Sequence, residues 1–215
     1  DTGSSLSFDG SSYVNLGEDK SVFDVSSISI SVWVYPTTIG PGTNAFRIVS
    51  RDRSDYWMLG QTTNNGLEWT VRTSSAMEQK FTDSNVLTIH AWNHIAATYN
   101  HLTGLMTVQV NGYLKNEWTV STTDVLGVGS DRPIAVGTSV SNTPQGSNGF
   151  QGLIDEVRIY NKVLSNRELI DDMQSGLITH NLERDSSYIV ATDLADNNFT
   201  DSNADDFADP NEVSL

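Results

Sequence analysis

The chain has no cysteine, so neither a disulfide framework nor a thiolate metal site is open to it. That absence leaves the compartment open. No apolar run reaches the length of a membrane-spanning helix, and the N-terminal DTGSSLSFDG has neither the basic nor the apolar region of a leader. Membrane insertion is therefore not expected. Basic residues are scarce: 12 Lys and Arg stand against 27 Asp and Glu, for a net charge of −15. Such a balance disfavours nucleic acid and anionic lipid surfaces as partners, and favours solubility in salt and the binding of cations.

What is present is enough for one core. The 215 residues are 37% hydrophobic and include five Trp, seven Tyr and seven Phe, which suits a single domain with an appendage. Charge divides the chain unevenly: residues 1–176 carry 18 acids and 11 bases, whereas 177–215 carry 9 acids and one base. A domain over 1–176 is expected, followed over 177–215 by an acidic linker or partial module. The chain begins at Asp1 without Met and so reads as a mature product or an excised fragment.

From Ser4 to Tyr160 the signals are β. SISISVWVY (27–35) alternates Ile28, Ile30, Val32 and Val34 against Ser29, Ser31, Trp33 and Tyr35, the period of a strand. LMTVQVNGYLKNEWTV (105–120) is two such runs joined at Asn111-Gly112, a hairpin signal. Further short strands are expected at 4–8, 11–16, 45–51, 55–60, 64–72, 91–99, 132–138 and 150–160. This spacing predicts an all-β antiparallel β-sandwich of the jelly-roll kind, with one short C-terminal helix. The helix is placed at 165–174, where Ser165 and Glu168 make a capping box, Leu164 and Leu169 a staple, and Gly176 a stop. In GLIDEVRIY, strand alternation puts Leu153, Asp155, Val157 and Ile159 on one face and sends Asp155 and Glu156 to opposite faces.

LSFDGSSYVNL, SISISVWVYP, FRIVSR, WNHIAATYN, VNGYL, IAVGTS and FQGLIDEVRIYNKVLSNREL occur in an order that resembles the laminin-G-like, concanavalin A-like jelly-roll modules of bacterial secreted proteins. The resemblance spans about residues 4–174. It implies a non-catalytic, lectin-like, carbohydrate-binding module of a larger multimodular secreted or cell-surface protein, with a polysaccharide or glycan as partner. A structural or adhesive spacer and a divergent glycosidase or lyase are the alternatives, because this fold hosts all of them. Laminarinase-like enzymes on similar jelly rolls carry Glu-x-Asp-x-(x)-Glu on one strand, placing two carboxylates on one face, and alginate-lyase-like ones carry Gln-x-His. Neither pattern is present: TIHAW supplies His90 without the Gln. His94, in WNHIA, is read as structural.

A glycan binder needs aromatic faces beside planar polar groups. RIVSRDRSDYWMLGQTTNNGLEWTVR concentrates both, so Arg51, Arg53, Asp55, Tyr56, Trp57, Trp69 and Arg72 form the candidate ligand surface. Trp57 also suits a core, and Arg51 a structural ion pair. Trp33 and Trp92, on the family's core strands, are assigned to the core, and Trp118 is left open.

Two calcium sites are expected. In DSNADDFADPNE, oxygen donors fall at Asp201, Asn203, Asp205, Asp209 and Glu212, with the Phe207 carbonyl between, the spacing of a 12-residue calcium loop. It resembles the loops of EF-hands, dockerins and thrombospondin type 3 repeats, although Asp206 stands where Gly is usual. A solvated acidic linker is the alternative. The jelly-roll resemblance implies the second site, in which Asp155 on the last strand meets Asp9 near the N-terminus. Hydrogen bonds alone could hold Asp155 there instead.

Overall fold

A computed structural model describes residues 5–17, 25–40, 45–52, 54–120, 124–127, 132–138, 148–178 and 188–190. The strands are β1 (Leu6–Asp9), β2 (Val14–Asn15), β3 (Ile28–Pro36), β4 (Phe46–Arg51), β5 (Trp57–Gln61), β6 (Leu67–Arg72), β7 (Met77–Phe81), β8 (Asn93–Asn100), β9 (Leu105–Val110), β10 (Tyr113–Thr119), β11 (Ala135–Val136), β12 (Gln151–Tyr160) and β13 (Tyr188–Val190). The helix α1 spans Asn166–Ile178. The first sheet runs β1-β12-β3-β8-β9-β10, with β13 also on β12, and the second runs β2-β11-β4-β5-β6-β7. All strand pairs are antiparallel. The two sheets enclose one core, so the all-β sandwich expected from the alternation is what forms.

Alternation builds each layer. In β3, Ile28, Ile30, Val32 and Val34 are fully buried between the sheets, while Ser29, Ser31, Trp33 and Tyr35 face outward. Asn111 and Gly112 both take positive φ, 53° and 77°, and join β9 to β10 as the Asn-Gly signal requires. The strand β7 was not anticipated. MEQKF has no β-branched residue, and its half-exposed Glu78, Gln79 and Lys80 mark an edge, where charge blunts strand addition.

Three expectations fail for physical reasons. The register of β12 against β3 slips between Asp155, opposite Trp33, and Arg158, opposite Ser31. This bulge, with Glu156 at φ 50°, inserts a residue and switches the faces. Ile154, Val157 and Ile159 point into the core, whereas Leu153, Asp155, Arg158 and Tyr160 lie on the outer side. Leu153 and Asp155 therefore do not share a face with Val157 and Ile159. Nor do the two adjacent acids diverge, because Glu156 reaches Arg158 on the outer side. Gly176 does not stop the helix, which continues to Ile178. A single helical glycine costs only about 1 kcal/mol. The start is as expected: Glu168 Oε2 accepts from the Ser165 amide at 2.7 Å, and Ser165 Oγ accepts from the Glu168 amide at 3.3 Å.

The helix covers part of the first sheet's outer face. Leu164 and Leu169 pack with Ala96 and Tyr160. The Leu164 amide donates to Ser29 Oγ at 2.9 Å, and that hydroxyl donates to the Lys162 carbonyl at 2.8 Å. Arg158 pairs with Asp172 of α1 at 3.0 Å and with Glu156. Nearby, His94 Nε2 and Ser31 Oγ share a hydrogen bond at 2.8 Å, and the His94 amide donates to Asn111 Oδ1 at 2.8 Å. His94 is structural, as expected. Burial, reinforced by the Arg158 charge and opposed by Asp172, holds its imidazole down at about 4, from an ordinary value near 6.5.

The folded state thus refuses a proton that the unfolded chain accepts, so this contribution is intact above pH 6.5 and is lost as pH falls towards 4. Its full size is about 3 kcal/mol. Unfolding midpoints measured from pH 7.5 to 4 should fall through this window, and His94→Gln should flatten the slope. An unchanged slope in His94→Gln would show that His94 is not the group responsible.

Candidate functional site

Strand β6 decides which side chains a ligand can reach. Leu67, Trp69 and Val71 point into the core, so Glu68, Thr70 and Arg72 point out. Trp69 is fully buried, and its Nε1 donates to the Thr98 carbonyl of β8 in the opposite sheet at 2.9 Å. Trp57, opposite Val71 in the β5–β6 ladder, is buried beside it. Neither indole can present a face to a ligand. The two aromatic anchors of the expected surface are core residues.

Three more of the expected residues build a corner. Arg51 is fully buried, lies 3.8 Å over the centroid of the Tyr56 ring, and donates from Nε to the Arg132 carbonyl at 3.1 Å. Arg132 pairs with Asp55 at 2.8 Å and Asp52 at 3.4 Å. Arg51, Asp55 and Tyr56 thus fasten the β4–β5 turn. Arg53 lies outside the described residues. Of the six that are described, Arg72 alone remains on the outer face.

That face is read from the register. Arg47, Gly60, Glu68 and Phe81 form one row across β4 to β7; Ser50, Met58, Thr70 and Gln79 form the next; Arg72 and Met77 follow. Met58, Thr70 and Glu68 are a buried floor. Glu68 Oε1 accepts from Thr70 Oγ1 at 2.9 Å and from Gln79 Nε2 at 2.8 Å. Met77 and Phe81 are 41% and 52% exposed along the edge strand. Arg72 Nε is buried and has no hydrogen-bond partner among the described residues. A partly exposed guanidinium beside an exposed apolar rim can take a planar or paired oxygen group from a ligand through its terminal nitrogens. Glu68, Gln79, Met77 and Phe81 were missed, three of them because β7 was; alternation in LEWTVR was the signal available for Glu68.

The expected Asp9–Asp155 cation site does not assemble. Strands β1 and β12 pair as expected, but Asp9 falls opposite Gln151, and Leu6 opposite Ile154. Asp9 is thus offset along the ladder from Asp155 by about 13 Å at the rise of a strand. Asp9 Oδ1 instead accepts from the Ser11 and Ser12 amides, at 2.8 Å each, and from both hydroxyls. These bonds, the Ser12 hydroxyl foremost, hold its carboxyl well below the usual range. Asp155 Oδ1 accepts from the Glu156 amide at 2.8 Å. Among the described residues no group of three or more His, Asp or Glu is placed to hold a metal. Asp201, Asn203, Asp205, Phe207, Asp209 and Glu212 lie outside the described residues.

The tryptophans assigned to the core also differ. Trp33 and Trp92 lie on the outer side of the first sheet, with Trp92 39% exposed. Trp118 is partly buried against the core. No helix among the described residues is long and apolar enough to cross a membrane.

Several solved structures share the fold. The CBM40 module of Ruminococcus gnavus IT-sialidase, bound to α2,3 sialyllactose, matches with a TM-score of 0.65 and 13% identity, over 79% of this chain and 95% of its own. Domain 4 of AbnA, a GH43 extracellular arabinanase from Geobacillus stearothermophilus, in complex with arabinotriose, matches at 0.58 and 22%, over 78% and 75%. A leech intramolecular trans-sialidase matches at 0.64 and 15%, over 82% of this chain but 27% of its own. At these identities the likeness establishes the fold alone. No curated protein sequence matches this chain. At the family level, a match to the concanavalin A-like lectin/glucanases covers residues 8–170, and the chain belongs to that superfamily.

Proposed function

We propose that the protein is a non-catalytic glycan-binding module that holds its ligand against the outer face of the second sheet. The observation that carries this reading is Arg72: a half-buried guanidinium whose Nε has no hydrogen-bond partner among the described residues, beside the exposed Met77 and near Gln79. Buried donors are nearly always satisfied. A partly exposed guanidinium suits a sugar carboxylate, which its terminal nitrogens can bind through two parallel bonds. The apolar rim of Met77 and Phe81 suits the C–H face of a sugar ring. Fold relatives bound to sialyllactose and arabinotriose support the same reading. The likeness to one domain of an extracellular Geobacillus arabinanase supports its being a module of a larger secreted bacterial protein.

Isothermal titration with 3′-sialyllactose should give saturable binding, and Arg72→Ala should weaken it about tenfold or more while the melting temperature stays within about 2 °C. Unchanged affinity in Arg72→Ala would move the site elsewhere. Absence of binding to any member of a broad glycan array would favour the spacer reading.

Calcium remains part of the proposal only for the loop at 201–212, supported by its donor spacing. Calorimetric titration of the full chain should show calcium binding that Asp205→Ala with Glu212→Ala abolishes. Equal heats in the double variant would make the segment a plain acidic linker.

A further inference from the structure

On the outer side of the first sheet, away from the Arg72 face, five rings cluster. Tyr35 stands between Trp92, edge-on with ring centroids 5.8 Å apart, and His90, at 6.4 Å. Trp33, two residues back on β3, lies against His94 at 5.3 Å. His90 and Trp92 are both exposed, and their loop is fastened from below. The buried Asn93 side chain accepts from the Thr88 amide at 2.9 Å and donates to the carbonyls of Thr88 and Ala91 at 2.9 and 2.7 Å. The His90 amide donates to the Pro36 carbonyl at 2.8 Å, with His90 at φ 58°, a conformation that non-glycine residues adopt only where the surroundings enforce it. Exposed aromatic rings that are rigidly held bring contact area at little entropic cost.

We propose that Trp92, Tyr35 and His90 form a second ligand site, a stacking platform for a neutral oligosaccharide. The rings supply apolar faces for sugar C–H groups, and the Tyr hydroxyl and the Trp and His ring nitrogens supply polar edges for hydroxyls. Neutrality follows from the lining: none of the three residues carries a guanidinium or ammonium group, and the ladder places the Asp155 carboxylate opposite the adjoining Trp33. An anionic sugar is repelled here, unlike at Arg72. This inference rests on the glycan-binding reading.

The test is calorimetric titration of the full chain, its Arg72→Ala variant and its Trp92→Ala variant with cellotetraose, xylotetraose, arabinotriose and 3′-sialyllactose. At least one neutral probe should bind the parent and Arg72→Ala alike and lose about tenfold or more in Trp92→Ala, with sialyllactose unaffected by that change. Tyr35→Phe, which keeps the ring, should retain most of the binding. Trp92→Ala binding the neutral probes as the parent does would overturn the platform. Binding of sialyllactose with no neutral probe bound would overturn it too, while leaving the glycan-binding reading intact. If no probe binds at all, both fall. A concentration-dependent dimer abolished by Trp92→Ala, without sugar binding, would make the patch a contact between copies and likewise overturn the proposal.

Discussion

The indole of Trp69 is the point on which both faces of the second sheet depend. Its Nε1 bond to the Thr98 carbonyl ties β6 to β8 across the core, and its ring fills the space between the sheets. Removing a ring of that size from a core costs about 3–5 kcal/mol. Because a strand alternates strictly, pinning Trp69 inward also pins Glu68, Thr70 and Arg72 outward. A one-residue slip would bury Arg72 and expose the indole. The anchor in the core and the open guanidinium on the surface are two consequences of a single register.

The first sheet solves the opposite problem. Its last long strand, β12, must serve the core and receive a helix on its back. The bulge at Asp155 and Glu156 allows both. Before it, Leu153 and Asp155 face outward beside Tyr35 and Trp33; after it, Arg158 and Tyr160 face outward towards Asp172 of α1. The buried His94 and Ser31 lie on the same outer face. What α1 does not cover is where the aromatic cluster sits.

Much of this was legible in the residues. SISISVWVY, the Asn111-Gly112 hairpin and the Ser165–Glu168 box each state a local geometry in a few residues, and each forms. The site was less legible. RIVSRDRSDYWMLGQTTNNGLEWTVR draws attention to β4, β5 and β6, but counting aromatic and polar types along a segment ignores parity, so Trp57 and Trp69 were placed on the surface they in fact support. The reverse error put Trp92 in the core, although Trp33 already stood opposite the buried stripe of β3. Neither the bulge at Glu156 nor the strand at MEQKF has a sequence mark: a bulge is one unpaired residue, and an edge strand needs no apolar alternation. The Asp9–Asp155 pairing failed on register, since which strands pair does not say which residues meet.

The most direct measurement is a two-dimensional NMR titration of the isotope-labelled protein with 3′-sialyllactose. The account predicts that shifts concentrate on outward residues of β6 and β7, with the Arg72 Nε–H, Gln79 and Phe81 moving most, while the Trp57 and Trp69 indole N–H signals stay still. Shifts confined to other surfaces, with Arg72 unmoved, would contradict it.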